Sequence, residues 1–216
     1  MKAFSHPALR SSVLLGIIAL VGTTLLAGVN ELTRERIIEQ ENRRVLQQLN
    51  EIVPIGSYNN DLLEDRIEIE DERFFRHPAP VIVYRARFDT RPVAVMMIIT
   101  APDGYNGDIR LLAGIDVSGS LLGVRVITHR ETPGLGDPID LAKSDWILDF
   151  TRKSLRNPAD DGWAVKRDGG QFDQFTGATI SPRAVVRAIH RTLQYVETNM
   201  QVLFDTPAIA STPNET

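Results

Sequence analysis

The 216-residue chain contains no cysteine, and that absence removes several kinds of chemistry at once. Disulfides, thiolate zinc sites, cysteine-held iron–sulfur clusters and thioether-linked haem or flavin are all excluded. Any redox chemistry must come from a cofactor held in another way. A basic surplus is missing too: the net charge is −4 and the pI is ≈ 5.6, whereas nucleic-acid-binding domains carry an excess of positive charge. Nucleic acid is therefore set aside as a partner. No internal repeat is visible. With 43% hydrophobic residues, one domain of ordinary size plus an appendage is expected.

Charge is also absent between Arg10 and Glu31. A helix over residues 11–30, rising about 1.5 Å per residue, reaches roughly 30 Å, the thickness of a hydrocarbon core. A transmembrane anchor over 11–30 is expected, with 1–10 as a short tail. A cleaved signal peptide is the alternative, given Lys2 and Arg10 ahead of the apolar run, but Ala27-Gly28-Val29-Asn30 makes a poor small-x-small cleavage site. Arg34, Arg36, Arg43 and Arg44 follow the span, so charge counting alone does not orient it. Residues 31–75 read as a helical and then acidic linker, the helix ending at Pro54, with Ile67 and Ile69 alternating with acids as in an edge strand.

The body of the domain is placed at 76–203, with 204–216 as a flexible tail. Val81–Phe88 and Pro92–Thr100 are β-branched or apolar runs around a short turn, and Ile109–Ile115 and Leu121–Ile127 follow after turn-rich connections. Connections this short require antiparallel neighbours. Helices are expected over 139–150 and 182–203, with a strand pair around Asp168-Gly-Gly170. The fold class is α+β: a mainly antiparallel sheet with packed helices, preceded by one N-terminal transmembrane helix.

Two stretches carry more specialised residues than connectors need. In Asp173-Gln-Phe-Thr-Gly-Ala-Thr-Ile-Ser-Pro-Arg-Ala-Val-Val-Arg187, Ser181 is a natural N-cap and Pro182 suits the first helical position. Thr176-Gly177-Ala178-Thr179 then approaches a helix N-terminus, where unpaired N–H groups and the macrodipole favour an anion such as phosphate. Arg183 and Arg187, one turn apart, are candidates for pairing with that phosphate or for a solvated face. The second stretch is His129-Arg-Glu-Thr-Pro-Gly-Leu-Gly-Asp-Pro138. Gly134 and Gly136 allow backbone to approach a flat ligand, and Asp137-Pro138 reads as a further N-cap and first-turn proline; a tight surface turn is the alternative. Trp146 and Trp163 are expected in the core, and His129 and His190 in structural or surface roles.

Together these stretches resemble the FMN-binding domain of the G subunit of Rnf/Rsx electron-transport complexes, a family related to the C subunit of the sodium-pumping NADH:quinone reductase. Thr176-Gly177-Ala178-Thr179 resembles its flavinylation core, and Glu131-Thr-Pro-Gly-Leu-Gly136 resembles a loop common in the same family. Gly104-Tyr105 and the Gly114-Ile-Asp-Val-Ser-Gly119 turn also have parallels there, and Trp163–Gly170 favours the Rnf/Rsx branch. The resemblance implies FMN joined by a phosphoester to Thr179, installed by a separate flavin transferase from FAD with magnesium. Thr176, Gly177 and Ala178, with Glu131, Thr132, Gly134, Leu135 and Gly136, would shape the flavin site. It further implies a single-pass protein of the bacterial inner membrane with its flavin domain on the periplasmic side, and other Rnf/Rsx membrane and redox subunits as partners. The chain would be an electron-relaying subunit of a translocase rather than an independent catalyst. A non-redox adaptor on the same fold and a reversible FMN binder remain the alternatives.

Overall fold

The computed structural model describes residues 7–209, with side chains described for 11–27, 39–40 and 42–209. Helix α1 runs Pro7–Ile52, and the chain divides into two compact units, Met1–Val45 and Leu46–Thr216. In the first unit the predicted anchor is helical, and Leu14, Leu15, Ile18, Leu20 and Leu26 stand exposed along it. Among the described residues, no helix is long and apolar enough to cross a membrane.

The second unit is built on a five-stranded sheet in the order β1-β2-β3-β4-β5: Arg66–Ile69, Val81–Phe88, Arg91–Gly104, Gly107–Asp116 and Leu121–Thr128. Every neighbouring pair is antiparallel, as the short connections require. β1 is the edge strand anticipated around Ile67, which is buried. A short helix, α2, covers Glu72–Phe75, and α3 covers Ile180–Asp205. β3 runs on through most of the expected turn to Gly104, leaving only Tyr105 and Asn106 between it and β4.

Alternation along β3 explains why its sequence is apolar at nearly every position. Val95, Met97, Ile99 and Ala101 face a core completed by Val185, Ile189, Leu193 and Val196 of α3, together with Trp146, Phe150, Trp163 and Phe172. Ala94 and Met96, on the opposite face, are equally buried. That second face is covered by the end of α1 and the segment after it, where Leu49, Ile52, Val53 and Leu62 are buried. Much of the expected linker therefore belongs to the domain, whose boundary falls after Val45 rather than at residue 75. Gly114 marks the closest approach: a Cβ there would lie 2.2 Å from Ile52 Cγ2. Gly114→Ala is expected to cost about 1–3 kcal/mol through overpacking. In urea denaturation followed by tryptophan fluorescence, the double variant with Ile52→Ala should lose less than the sum of the single losses.

Other expectations need correction. The helix expected over 139–150 is replaced by 3₁₀ turns at Asp137–Ile139 and Asp145–Phe150. Ser144 interrupts them in extended backbone, its hydroxyl accepting the Trp146 N–H at 3.2 Å. Around Asp168-Gly169-Gly170 there is no strand pair but a 3₁₀ turn, Lys166–Asp168, and one isolated parallel bridge between Val165 and Phe172. Part of the expected flexible tail is anchored: the Arg85 guanidinium, paired with Asp65, donates to the carbonyls of Leu203 and Thr206, and Ile209 N–H donates to Arg66. Residues 210–216 of that tail lie outside the described residues.

Candidate functional site

Glu131 organises one end of the domain. Its carboxylate is buried, with Oε1 accepting the Asn106 N–H at 3.2 Å and Oε2 accepting the Ser181 hydroxyl. One carboxylate thus ties the β3–β4 turn, the glycine loop and the start of α3 together. Room for it comes from two missing side chains: a Cβ on Gly104 would lie 2.9 Å from Oε1, and one on Gly136 would lie 2.8 Å from Oε2. Buried carboxylate oxygens need such donors, because desolvation without them is costly. The backbone of the loop is closed by its own hydrogen bonds. Thr132 carbonyl accepts the Leu135 and Gly136 N–H groups, each at 3.1 Å. Gly134, at φ 77°, donates to Asp137 Oδ1 at 2.6 Å, so Asp137 caps the loop behind it rather than the turn ahead.

The second loop enters α3 through a tight turn. Ala178 N–H donates to Phe175 carbonyl at 3.1 Å, and Gly177 takes the left-handed φ of 80° that a side chain would disfavour. Thr179 occupies the N-cap position with helical angles and no side-chain capping bond. Its carbonyl accepts the Arg183 N–H at 3.2 Å, while N–H groups in the first turn lack intrahelical acceptors. Ser181 lies inside the helix rather than capping it, because its hydroxyl is committed to Glu131. Pro182 remains within the first turn, where its missing N–H is harmless.

Between the loops opens a cavity of ≈ 310 Å³ lined by both. Glu131, Thr132, Leu135, Gly136, Gly177, Ala178 and Thr179, all anticipated from sequence, contribute to its wall. Thr176 and Gly134 are exposed and outside that wall. Tyr105, Ile180 and Ser181 line it as well. Tyr105 and Ile180 are 65% and 42% exposed, and Leu135 is 47% exposed, giving the cavity an apolar rim above its polar floor. Gly104-Tyr105 already had a parallel in the resembled family, though no role in the site; the signal for Ile180 was a large apolar body beside hydroxyl residues, legible only once both loops are known to meet.

Arg183 and Arg187 do not serve this cavity. Arg183 forms a bidentate pair with Asp168, at 2.6 and 2.7 Å, and both arginines line a different depression beside Trp163. Trp146 and Trp163 are buried as expected. His129 Nδ1 accepts the Glu131 N–H at 3.1 Å, a structural role. His190 stacks on Trp163 with ring centroids 5.3 Å apart and 4° between planes, and its Nε2 lies 2.8 Å from Asp160 Oδ1. Burial pushes its pKa below 6.5, outweighing Asp160, which raises it. A folded pKa below the unfolded one means stability is full above that value and is lost as pH falls through it. The melting temperature is expected to drop as pH falls below about 6.5, where an unfolded histidine takes up its proton and the folded one resists it, and less steeply in His190→Gln.

The fold and the cavity describe a small α+β domain suited to a flat ligand with an anionic end, and residues 104–194 match the family model of the FMN-binding domain. Residues 1–52 match the RnfG N-terminal region. The chain is 48% identical over 199 residues to the G subunit of the ion-translocating oxidoreductase complex of Shewanella loihica, covering 92% of this chain and 94% of that protein. It is 49% identical over 195 residues to the corresponding protein of Pseudomonas aeruginosa, covering 90% and 91%. For that of Vibrio cholerae the identity is 43% over 198 residues, covering 92% and 94%. The chain belongs to the family of G subunits of ion-translocating oxidoreductase complexes.

Proposed function

We propose that this chain relays electrons within an ion-translocating oxidoreductase complex through FMN joined by a phosphoester to Thr179. The observation that carries this reading is the placement of Thr179: its hydroxyl is uncommitted to capping, and the residue lines the cavity that the two loops share. The residues present fit the group. Thr179 and first-turn N–H groups suit the phosphate end, while Leu135, Tyr105 and Ile180 offer apolar surface to a conjugated ring. Gly177, whose Cβ position meets only Leu135, keeps the backbone low beneath it, and Glu131, seated against Gly136, holds the two loops in register. Bound FMN accepts and releases one or two electrons; the protein supplies placement and electrostatic surroundings.

Attachment is a phosphoryl transfer carried out by a separate flavin transferase with magnesium. Thr179 Oγ1 forms the new O–P bond to the FMN phosphorus of FAD, the pyrophosphate bond breaks, AMP leaves, and the hydroxyl proton is released. A neutral hydroxyl is weakly nucleophilic, so activation belongs to the transferase and its metal.

The uncharged run 11–30 and its exposed apolar side chains support a single-pass anchor in a bacterial inner membrane. The flavin domain then lies on the periplasmic side, next to the complex's other membrane and redox subunits. Reporter fusions after Val53 test this: activity confined to the cytoplasmic reporter would overturn the orientation. For the flavin, intact-mass measurement after co-expression with the transferase should show one FMN adduct on the peptide containing Thr179. No adduct would sink the covalent reading, and flavin released on denaturation would assign reversible binding instead.

A further inference from the structure

Five arginines that the flavin cavity does not use gather on one side of α3. Arg183, Arg187 and Arg191 recur every four residues, so they share a helix face. Arg167 and Arg76 join them from flanking loops. Asp168 is held below the usual carboxylate range by its hydrogen bond from Arg183 and by the charges of Arg183, Arg187 and Arg167. The pKa of Arg191, which donates to Phe74 carbonyl at 2.8 Å, is lowered by burial first and then by Arg76 and Arg187, against Asp103. The acids near this face are Asp168, taken by Arg183, Asp160, taken by His190, and Asp103. Arg167 and Arg187 are exposed, and among the described residues no ion pair holds either side chain. Like charges at this spacing destabilise a helix; Asp168 and the Phe74 carbonyl engage Arg183 and Arg191, which leaves Arg187, with Arg167 beside it, unaccounted for by folding.

Arg183 and Arg187 line a depression of ≈ 260 Å³ whose wall also holds Trp163, Val165, Val186 and Asp168, the last held by Arg183. Trp163, Val165 and Val186 at its base are buried, so what this face presents is its exposed arginine rim, a residue type enriched at protein interfaces. The row also begins one turn from Thr179, since the Arg183 N–H bonds the Thr179 carbonyl at 3.2 Å. We propose that this arginine face docks an acidic surface of a redox partner protein and holds it beside the Thr179 end of α3. This rests on the electron-relay reading for the nature of the partner.

In native membranes containing the complete complex, the double variant Arg167→Glu/Arg187→Glu should slow reduction of the attached flavin about tenfold at low salt and flatten its ionic-strength dependence. In-gel flavin fluorescence should be unchanged. Arg110→Glu, an exposed charge on β4, is the control and keeps the wild-type rate. Independently of any flavin, Arg187→Lys supplies an amine that a carbodiimide couples to an adjoining partner carboxylate, giving a salt-sensitive adduct with another protein of the complex. A wild-type rate and salt dependence in the double variant overturns the proposal. Slowed transfer without a protein adduct also overturns it and assigns the arginines to lipid headgroups. An adduct formed by a chain that carries no flavin supports docking and overturns the electron-relay reading alone.

Discussion

Thr179→Val is expected to leave the protein folded and without covalent flavin, whereas Thr179→Ser is expected to keep the attachment. The valine preserves shape but removes the only atom of the side chain that can form the ester, so the expected loss is complete. Stability should change little, because the Thr179 side chain makes no capping hydrogen bond and is half-buried. Serine restores a hydroxyl at the same position. Thr176→Val is the informative companion: Thr176 is exposed and outside the cavity wall, so flavin should remain. In-gel fluorescence and intact mass, measured alongside thermal melting, separate loss of the acceptor from loss of the fold. Attachment persisting in Thr179→Val, or lost only in Thr176→Val, would move the ester away from Thr179.

Glu131→Ala is expected to weaken both fold and flavin content. It removes the acceptor for Asn106 N–H and for the Ser181 hydroxyl, leaving Ser181, which is 1% exposed, without its partner. Buried polar groups left unsatisfied cost about 1–3 kcal/mol, and that corresponds to a fall of roughly 2–4 °C per kcal/mol in a chain of this size. The same change frees the β3–β4 turn and the glycine loop from the start of α3, so the cavity should lose its shape before the sheet unfolds. Glu131→Gln keeps one acceptor oxygen but presents an N–H₂ group to one of the two donors. It should fall between wild type and alanine in both melting temperature and flavin content. An alanine variant with wild-type stability and full attachment would show that the carboxylate is not the tie between these segments.

Most of the sheet was legible because periodicity reports directly on burial. Val81–Phe88, Ile109–Ile115 and Leu121–Ile127 were bounded by turn residues, and their short connections left only antiparallel pairing. The failures share one cause, namely long-range partners taking over local signals. Ser181 reads as an N-cap until Glu131, 50 residues away, claims its hydroxyl. Asp137 reads as the start of a helix until Gly134 N–H takes its carboxylate. Arg183 reads as either a phosphate partner or part of a solvated face until Asp168 engages it. The segment after α1 reads as a linker because the surface that buries Ile52, at Gly114 and Gly123, lies far along the chain.

The family resemblance alone proposes Thr179 as the flavin acceptor, whereas the sequence by itself determined the cysteine-free chemistry, the antiparallel sheet and the two glycine-rich loops. These depend on composition, local periodicity and backbone permissiveness, which are properties of neighbouring residues. Only the tertiary structure decided that the two loops meet in one cavity and that a buried carboxylate joins them. It also decided that Tyr105 and Ile180 form the rim, and that the arginines of α3 turn away toward a face of their own. Each of those depends on which distant donor, acceptor or apolar surface reaches a given side chain first, and folding alone sets that competition.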